Sequence, residues 1–403
     1  MSKKLKIVEL FAGVGGFRLG LEKFGHETVW ANQWEPKTKV QHAYDCYVKN
    51  FGDYKNLNTD IFKIKNSEIP KHDLLVGGFP CQDYSVATVS AKGIQGKKGV
   101  LWWEINRIVK AKTPELILLE NVDRLLRSPV NQRGRDFGVM LSCLSNAGYI
   151  VEWRVINAAD YGFPQKRRRV FIFGAKKNSS WGKYMIKSIS DSYLTDKGFF
   201  SKEFPTTSTN NSPSLFNDFF DKTLEKNIEN VSKNFEYHYL NGGIMVDRKI
   251  HTMKLEPIKE KVFPLKKVLI KGADKSYYIP KKDVKKWKEL KGAKKKIKIK
   301  DGVEIKWSEG AIPFPEDLKQ PARTILTNEG GLGPSRFKHL IEDPWTKKLR
   351  VLTPEEVEII STFPKGHTAS IPIEKWRYFC MGNALVVGLI EKMARQLKNG
   401  PPK

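Results

Sequence analysis

The stretch Leu74-Leu75-Val76-Gly77-Gly78-Phe79 is a short apolar run, and Pro80-Cys81-Gln82 follows it directly. Such a run is typical of a strand that is buried on both faces of a parallel sheet. A cysteine at the point where a buried strand meets a loop can be held rigidly and still reach a substrate, and its thiolate is a strong nucleophile. A lone cysteine is also common as a small buried hydrophobic residue. The segments around it decide between these two interpretations.

Further apolar runs alternate with helical patterns up to about residue 175. Residues 101, 102, 105, 108 and 109 are apolar and recur at helical spacing. Strands alternating with helices of this length predict an α/β fold with a doubly wound, mostly parallel sheet. The predicted strands lie at 7–11, 28–31, 74–76, 116–119, 151–156 and 170–173.

The chain is strongly basic. Its 403 residues include 71 Lys and Arg against 44 Asp and Glu, which gives a formal net charge of +27. This excess favours a polyanionic partner such as nucleic acid, although a compositional bias toward lysine would also produce it. The four cysteines form no C-x-x-C pair, so neither a disulfide framework nor a metal site is predicted. With no long apolar segment, a cytoplasmic protein without membrane contact is expected.

The amino-acid composition changes after residue 178. Residues 178 to about 320 are rich in Ser, Asn, Lys and Pro, and 281–300 holds eleven lysines against two acids. Such a run is either a solvated face or a surface that contacts phosphates. A final amphipathic helix is predicted at 384–397. We therefore predict a catalytic domain at 1–178, a smaller basic domain with a hinge at 179–349, and a return to the catalytic domain at 350–403.

A glycine-rich turn lies between the first predicted strand and the first predicted helix, at Phe11-Ala12-Gly13-Val14-Gly15-Gly16-Phe17. Glycines let backbone amides approach a ligand, and a helix N-terminus favours an anionic group, although many α/β proteins need such a turn merely to change direction. Glu35 and Asp60 follow later strands, at positions that doubly wound sheets use for ribose and adenine. Trp34 suits stacking on a purine or a place in the core.

Two further segments carry charged groups at strand ends. Glu120-Asn121-Val122 ends a strand at the edge where α/β sheets bind ligands, and a partly desolvated carboxyl there could donate a proton near neutral pH. Gln165-Lys166-Arg167-Arg168-Arg169 leads into the next strand. If these residues are extended, Gln165, Arg167 and Arg169 share one face, which suits a phosphate or base oxygen, although a surface basic patch could produce the same alternation.

The ordered series FAGVGGF, GGFPCQ, ENV, QKRRR and a late GNALVV resembles the DNA (cytosine-5) methyltransferases. The resemblance covers roughly residues 5–175 and 321–397. It implies a Rossmann-like methyltransferase fold that uses S-adenosylmethionine, with a second, smaller basic target-recognition domain. Double-stranded DNA is the implied substrate. A monomer is expected, with a separately acting restriction endonuclease as a conceivable partner.

The resemblance also implies roles for individual residues. Cys81 would add to C6 of the cytosine, Glu120 would hold its N3 edge, and Arg169 with the neighbouring Arg167 would lie near its O2. C5 would then take the methyl group, and loss of the C5 proton and of Cys81 would restore the ring. Pro80 and Gln82 would complete the catalytic segment. The implied cofactor-binding residues are Phe11, Gly13, Gly15, Gly16, Trp34, Glu35, Asp60, Leu101 and Asn383, of which Asn383 supports the site from the last helix.

DNA contacts are expected from Ser85, Gln165 and Arg323, while a purely structural role for Arg323 is equally compatible with the sequence. The segment 82–99 is expected to close over a flipped base, and a simple surface loop is the alternative. Many relatives carry an acid where this chain has Gln33, so either Gln33 or Glu35 would contact the ribose. An RNA (tRNA) cytosine methyltransferase and a catalytically silent DNA-binding relative stay open as alternatives.

Overall fold

The structure is a computed structural model that describes residues 4–36, 38–53, 56–79, 101–208, 219–300 and 303–402. Within them, the strands are β1 (Lys6–Leu10), β2 (Glu27–Asn32), β3 (Asn56–Leu57), β4 (Leu74–Gly78), β5 (Leu116–Val122), β6 (Tyr149–Asn157), β7 (Arg168–Lys176), β8 (Thr206–Ser208), β9 (Lys222–Thr223), β10 (Gly242–Val246), β11 (Lys249–Met253), β12 (Leu255–Pro257), β13 (Lys294–Lys300), β14 (Val303–Glu309), β15 (Ile341–Glu342) and β16 (Leu349–Arg350).

The α-helices of the described residues account for most of the remaining regular structure. They are α1 (Gly16–Glu22), α2 (His42–Phe51), α3 (Leu101–Lys112), α4 (Arg135–Asn146), α5 (Ser180–Lys187), α6 (Ile228–Asn234), α7 (Val284–Lys291), α8 (Pro354–Ile360), α9 (Glu374–Asn383) and α10 (Val387–Asn399). The six predicted strands and the helix after residue 100 are confirmed. The last helix begins at Val387 rather than at residue 384, because α9 ends only at Asn383.

One ten-stranded sheet organises the larger part of the molecule, in the order β3-β2-β1-β4-β5-β7-β6-β10-β11-β9. The strands from β3 to β5 pair in parallel, and every pair from β5–β7 onward is antiparallel. The predicted doubly wound α/β class is confirmed. The prediction did not include the antiparallel extension by β10, β11 and β9.

The central strand β5 of this sheet is buried on both faces. Ile117 and Leu119 of β5 belong to a core cluster with the apolar sides of α3 and α4. Leu116 and Leu118, which point to the opposite face, are also buried to within 2% of full coverage. Burial on both faces explains why this segment reads as a continuous apolar run.

The chain divides into two units. Unit 1 comprises Met1–Tyr161, Arg168–Glu260 and Val387–Lys403, and unit 2 comprises Gly162–Arg167 and Lys261–Val386. The predicted boundaries at 179 and 349 differ from this division. Residues up to 260 belong with unit 1 because β10 pairs with β6, and the last helix alone, not everything after 349, returns to unit 1.

Unit 1 is completed by its last helix. A Cβ added at Gly20 of α1 would lie 2.7 Å from the Cβ of Ile390 in α10, so the two helices cross closely at this glycine. Lys23 also pairs with Glu391 at 2.6 Å. The chain therefore leaves unit 1 after residue 260 and comes back to cover the helix that follows the first strand.

Unit 2 has a small core of its own and many buried ion pairs. Ile279, Trp287, Leu340 and Val351 form the core cluster. The fully buried Arg350 lies 2.7 Å from Asp343 and 2.7 Å from Glu356. Two antiparallel pairs, β13–β14 and β15–β16, supply its regular strands within the described residues.

Candidate active site

The predicted acid lies at the carboxyl end of β5, beside an arginine of the next strand. Glu120 Oε1 is 2.9 Å from Nε of Arg169, and the two side chains are 13% and 17% exposed. The register places Val122 opposite Arg169, two residues beyond Glu120, so both side chains point to the same face of the sheet. The sheet thus holds a partly desolvated carboxylate and a guanidinium together at its ligand-binding edge.

The end of β4 is fitted closely to this pair. Gly78 is paired with Glu120 in the β4–β5 ladder, and a Cβ at Gly78 would lie 3.1 Å from Oε2 of Glu120. The buried Asn121 donates from Nδ2 to the carbonyl of Phe79 at 2.9 Å. Adjacent residues of β5 therefore supply the acid and the hydrogen bond to Phe79, the residue that precedes Pro80. Asn121 is a positioning residue that the sequence reasoning did not identify.

The basic segment after residue 165 is divided between the two units. Arg168 pairs with Asp123 at 3.0 Å, whereas Arg169 pairs with Glu120, so these neighbours point in opposite directions, as expected of a strand. The condition that Gln165–Arg169 form one continuous strand is not met, because β7 begins at Arg168.

Gln165 and Arg167 belong to unit 2 and are buried in it. Gln165 Nε2 donates to Oγ of Ser361 at 3.0 Å, and its Oε1 accepts from the amide of Ile325 at 3.2 Å. Arg167 donates to the carbonyls of Ile325 and Gly382. The predicted DNA contact of Gln165 stays a prediction, and its full burial does not favour it.

The glycine-rich turn connects β1 to α1 through left-handed backbone. Phe11, Gly13 and Gly15 have φ values of 55°, 56° and 86°, which explains why glycines alternate there. A Cβ at Gly13 would meet no atom of the described residues within 4 Å, so the backbone is open to approach at this position. The amide of Gly13 donates to Oε1 of Gln33 at 2.7 Å. Gly16 is the buried first residue of α1.

The other predicted cofactor residues follow β2 and β3, which lie beside β1 in the sheet. Trp34 is 39% exposed, which does not suit a core residue. Glu35 Oε2 accepts from the amide of Ala43 at 3.3 Å, and burial raises the pKa of this carboxyl. Asp60 caps a short 3₁₀ helix through the amide of Phe62. Leu101 is the half-buried first residue of α3.

A buried acid under the glycine turn was missed by the sequence reasoning. Glu9 of β1 is 1% exposed, and its Oε2 accepts from the hydroxyl of Tyr47 at 2.9 Å. Burial raises the pKa of Glu9 to about 8, partly offset by Tyr47 and Arg18. Within an apolar strand a single acid is a signal that could have been noticed, since charged residues are almost never buried without a partner.

Two predicted residues lie in unit 2. Arg323 makes a bidentate contact with Glu316, at 2.6 and 3.1 Å, which supports the structural interpretation of this arginine. Asn383 is the exposed last residue of α9. Pro80, Cys81, Gln82 and Ser85 lie outside the described residues, as does the predicted closing segment 82–99.

No group of three or more His, Cys, Asp or Glu in the described residues could hold a metal ion. None of the helices in the described ranges has the length and apolar character needed to cross a membrane.

The protein is an α/β protein with an acid–arginine pair at the carboxyl edge of a doubly wound sheet, and comparisons with known proteins identify its family. The family model of the C-5 cytosine-specific DNA methylases matches residues 5–399. The chain is 46% identical over 404 residues to the type II methyltransferase M.Sau3AI of Staphylococcus aureus, covering 98% of this chain and 96% of that protein. M.HhaI of Haemophilus parahaemolyticus is 37% identical over 168 residues, which are 42% of this chain and 48% of that protein.

Solved structures share the fold at low sequence identity. The mutant DNMT2 of Spodoptera frugiperda superimposes with a TM-score of 0.59 at 16% identity, covering 97% of this chain and 99% of that one. The Dnmt2 methyltransferase of S. pombe gives a TM-score of 0.59 at 14% identity, covering 98% of each chain. The chain belongs to the C-5 cytosine-specific DNA methylase family. It is an enzyme, a DNA (cytosine-5-)-methyltransferase, as the resemblance implied.

Proposed function

We propose that the protein is a sequence-specific DNA methyltransferase that transfers a methyl group from S-adenosylmethionine to C5 of a flipped-out cytosine, through a covalent bond between Cys81 and C6. The observation that carries the proposal is the Glu120–Arg169 pair at the end of β5. Asn121, next to Glu120, also holds the carbonyl of Phe79, whose chain continues directly into Pro80-Cys81.

The residues along the ends of β1, β2 and β3 fit S-adenosylmethionine. Among the described residues the backbone at Gly13 is open to approach, which suits a group that lies close to it. Exposed Trp34 offers an aromatic face for adenine, and carboxylates at Glu35 and Asp60 suit ribose hydroxyls or the adenine edge. Gln33 accepts from the amide of Gly13 and Glu35 accepts from the amide of Ala43, so either side chain is a candidate for the ribose contact. When bound, the cofactor supplies an electrophilic methyl group.

The side chains of the protein would perform the remaining chemistry. C5 of cytosine is a poor nucleophile until a bond from the Cys81 thiolate to C6 interrupts the conjugation of the ring. The Glu120 carboxyl would hold N3 and share its proton, so that electron density moves to C5 rather than onto the ring nitrogen. Arg169 would fix the orientation of that carboxyl. After C5 has taken the methyl group, loss of the C5 proton and release of Cys81 restore the aromatic ring.

The target atom is inaccessible inside a duplex, so the base must leave the stack, at a cost of a few kcal/mol. The proposal therefore includes base flipping, with the segment 82–99 closing over the base and unit 2 reading the sequence. The enzyme would act as a monomer in the cytoplasm, where its duplex substrate lies. A restriction endonuclease that cuts the same sequence is the expected functional partner.

The test is bisulfite sequencing of a plasmid that expresses the protein in a host without cytosine methylation. Protected cytosines confined to one short motif are the expected result. Cys81→Ser is the matched control, because it exchanges one atom of the nucleophile, and it should leave every cytosine unprotected. Full conversion with soluble wild-type protein, or methyl transfer to tRNA instead of duplex DNA, would contradict the proposal.

A further inference from the structure

A cavity of about 670 Å³ lies in unit 1, apart from the acid–arginine pair. Six cationic side chains and three carboxylates line it. We call it the basic groove; its cations are Arg127, Arg133, Arg154, Arg168, Lys254 and Lys259, and its carboxylates are those of Asp123, Asp160 and Glu256.

The carboxylates do not neutralise the groove. Asp123 serves two arginines, at 3.0 Å from Arg168 and 3.8 Å from Arg127. Glu256 lies 3.6 Å from Lys254. In the described part of the chain, neither Arg133 nor Lys259 forms an ion pair. Arg154 lies 3.8 Å from the buried Glu152. Two of the six cations of the groove therefore have no carboxylate partner within the described residues, and the groove suits an anionic occupant.

Several buried polar atoms of the groove lack a hydrogen-bond partner within the described residues. They are Nε of Arg154, the hydroxyl of Tyr239 and Oγ1 of Thr206, in side chains that are 1%, 3% and 8% exposed. An unpaired buried donor costs about 1–3 kcal/mol, so native proteins seldom leave several in one place. All three are donors that water does not reach, so they add polarity to the wall of the groove, and the exposed cations supply the contacts that an anion needs.

The sheet places the groove beside the active site. Glu120, Phe171, Arg154, Gly242 and Met253 occupy one row across five strands, from β5 through β7, β6 and β10 to β11. With about 4.8 Å between strands, Arg154 lies roughly 10 Å from Glu120 and Met253 roughly 19 Å. Lys254 follows Met253 directly. These spans correspond to about three to six steps along a duplex.

We propose that the basic groove binds the sugar-phosphate backbone of the DNA flanking the target cytosine, without reading its sequence. The inference rests on the proposed function, because the target base must lie at Glu120 for the flank to reach the groove. Two cations of the groove, Arg168 and Lys254, have side chains that are 58% and 60% exposed. Because exposed cations at the surface can contact successive phosphates, they favour a polymer over a small anion. The catalytic unit would thus supply affinity that is independent of the recognition sequence.

The test compares the salt dependence of duplex binding in two double variants. Lys254→Gln with Lys259→Gln removes two cations of the groove. Lys6→Gln with Lys71→Gln removes two exposed lysines at the amino ends of β1 and β4, the opposite edge of the same sheet. Each variant loses two charges, so a general electrostatic effect would be equal in both.

Fluorescence anisotropy with a duplex of arbitrary sequence gives the dissociation constant at several salt concentrations. Each phosphate contact contributes about 0.9 to the steepness with which log K falls against log salt. The groove variant, which lacks two cations, should therefore have a slope that is shallower by about 1.8. Between 50 and 200 mM salt the wild-type protein should therefore lose about tenfold more affinity than the groove variant. The control variant should keep the wild-type slope to within about 0.5. Equal thermal unfolding midpoints verify that both variants are folded.

Three outcomes would overturn the inference. The first is a groove variant whose slope of log K against log salt equals that of the wild-type protein. The second is a control variant whose slope decreases as much as that of the groove variant. The third is a groove variant that loses binding of inorganic phosphate while its duplex binding is unchanged. The measurement requires no methyl transfer. If the wild-type protein and the groove variant differ in slope as expected but the wild-type protein modifies no cytosine, the proposed function is refuted and the inference about the groove is not.

Discussion

Gly78→Ala probes how closely the end of β4 fits the proposed catalytic acid. The new Cβ would lie 3.1 Å from Oε2 of Glu120, whereas ordinary contacts of this kind begin at 3.4 Å. Because Glu120 is also held at 2.9 Å by Arg169, the carboxylate can yield only by moving away from its place beside the arginine. The required displacement is at least about 0.3 Å, from the difference between those contact distances.

The effect on rate follows from this displacement. If a misplacement of 1 Å costs about 10²-fold, 0.3 Å costs about fourfold, or roughly 0.8 kcal/mol of activation free energy. Gly174→Ala in β7 is the matched control, because its Cβ would meet Ile117 at the ordinary distance of 3.4 Å. We expect the control to keep the wild-type rate.

The assay is single-turnover methyl transfer with saturating DNA and cofactor, which isolates chemistry from binding and product release. Gly78→Ala should be slower by about fourfold with unchanged dissociation constants for both ligands. A rate within experimental error of wild type, or an equal decrease in Gly174→Ala, would refute the argument that Gly78 makes room for the acid.

Three other changes test different parts of the molecule. Glu9 holds a proton in the folded state up to a pKa of about 8, while the unfolded chain releases it above about 4.5, so stability should fall by about 1.4 kcal/mol per unit as pH rises between these values. Free energies of unfolding from urea titrations at pH 5 to 8 should decrease with this slope in the wild-type protein and not in Glu9→Gln. Equal pH dependence of the two proteins would contradict the argument. Asn121→Asp removes the donor to Phe79, and kcat should fall about tenfold with the cofactor dissociation constant unchanged, whereas an effect on KM alone would exclude positioning. Arg350→Ala leaves buried carboxylates unpaired and should cost about 3–5 kcal/mol of unfolding free energy in urea titrations. Arg395→Ala, which removes a half-exposed arginine from its pair with Glu203, should cost less than Arg350→Ala.

The sequence allowed prediction of those elements whose signal is local. The strands of the parallel half are continuous apolar runs, and Glu120 follows one of them directly, so its place at the ligand-binding edge could be inferred without coordinates. The glycine turn was equally local, because positive φ values at Gly13 and Gly15 require glycine or strain.

Other features depend on contacts between distant segments. Gln165 and Arg167 precede a strand and looked like its continuation, but their hydrogen bonds reach Ile325, Ser361 and Gly382, which no local pattern reveals. The antiparallel half of the sheet was missed for a related reason. β9 has only two residues, and β10 and β11 have five each, too few for a clear period in a polar region.

The return of the chain to unit 1 has a consequence for synthesis on the ribosome. The helix α10 that covers α1 starts at Val387, after all of unit 2 has been translated. At a synthesis rate of about 5–20 residues per second, α10 is synthesised roughly 20 to 75 s after α1, and until then the apolar side of α1 lacks this packing partner. A nascent or truncated chain therefore lacks a finished catalytic unit, whatever its first strands have done. Methyl transfer is therefore expected only from chains whose synthesis has reached α10.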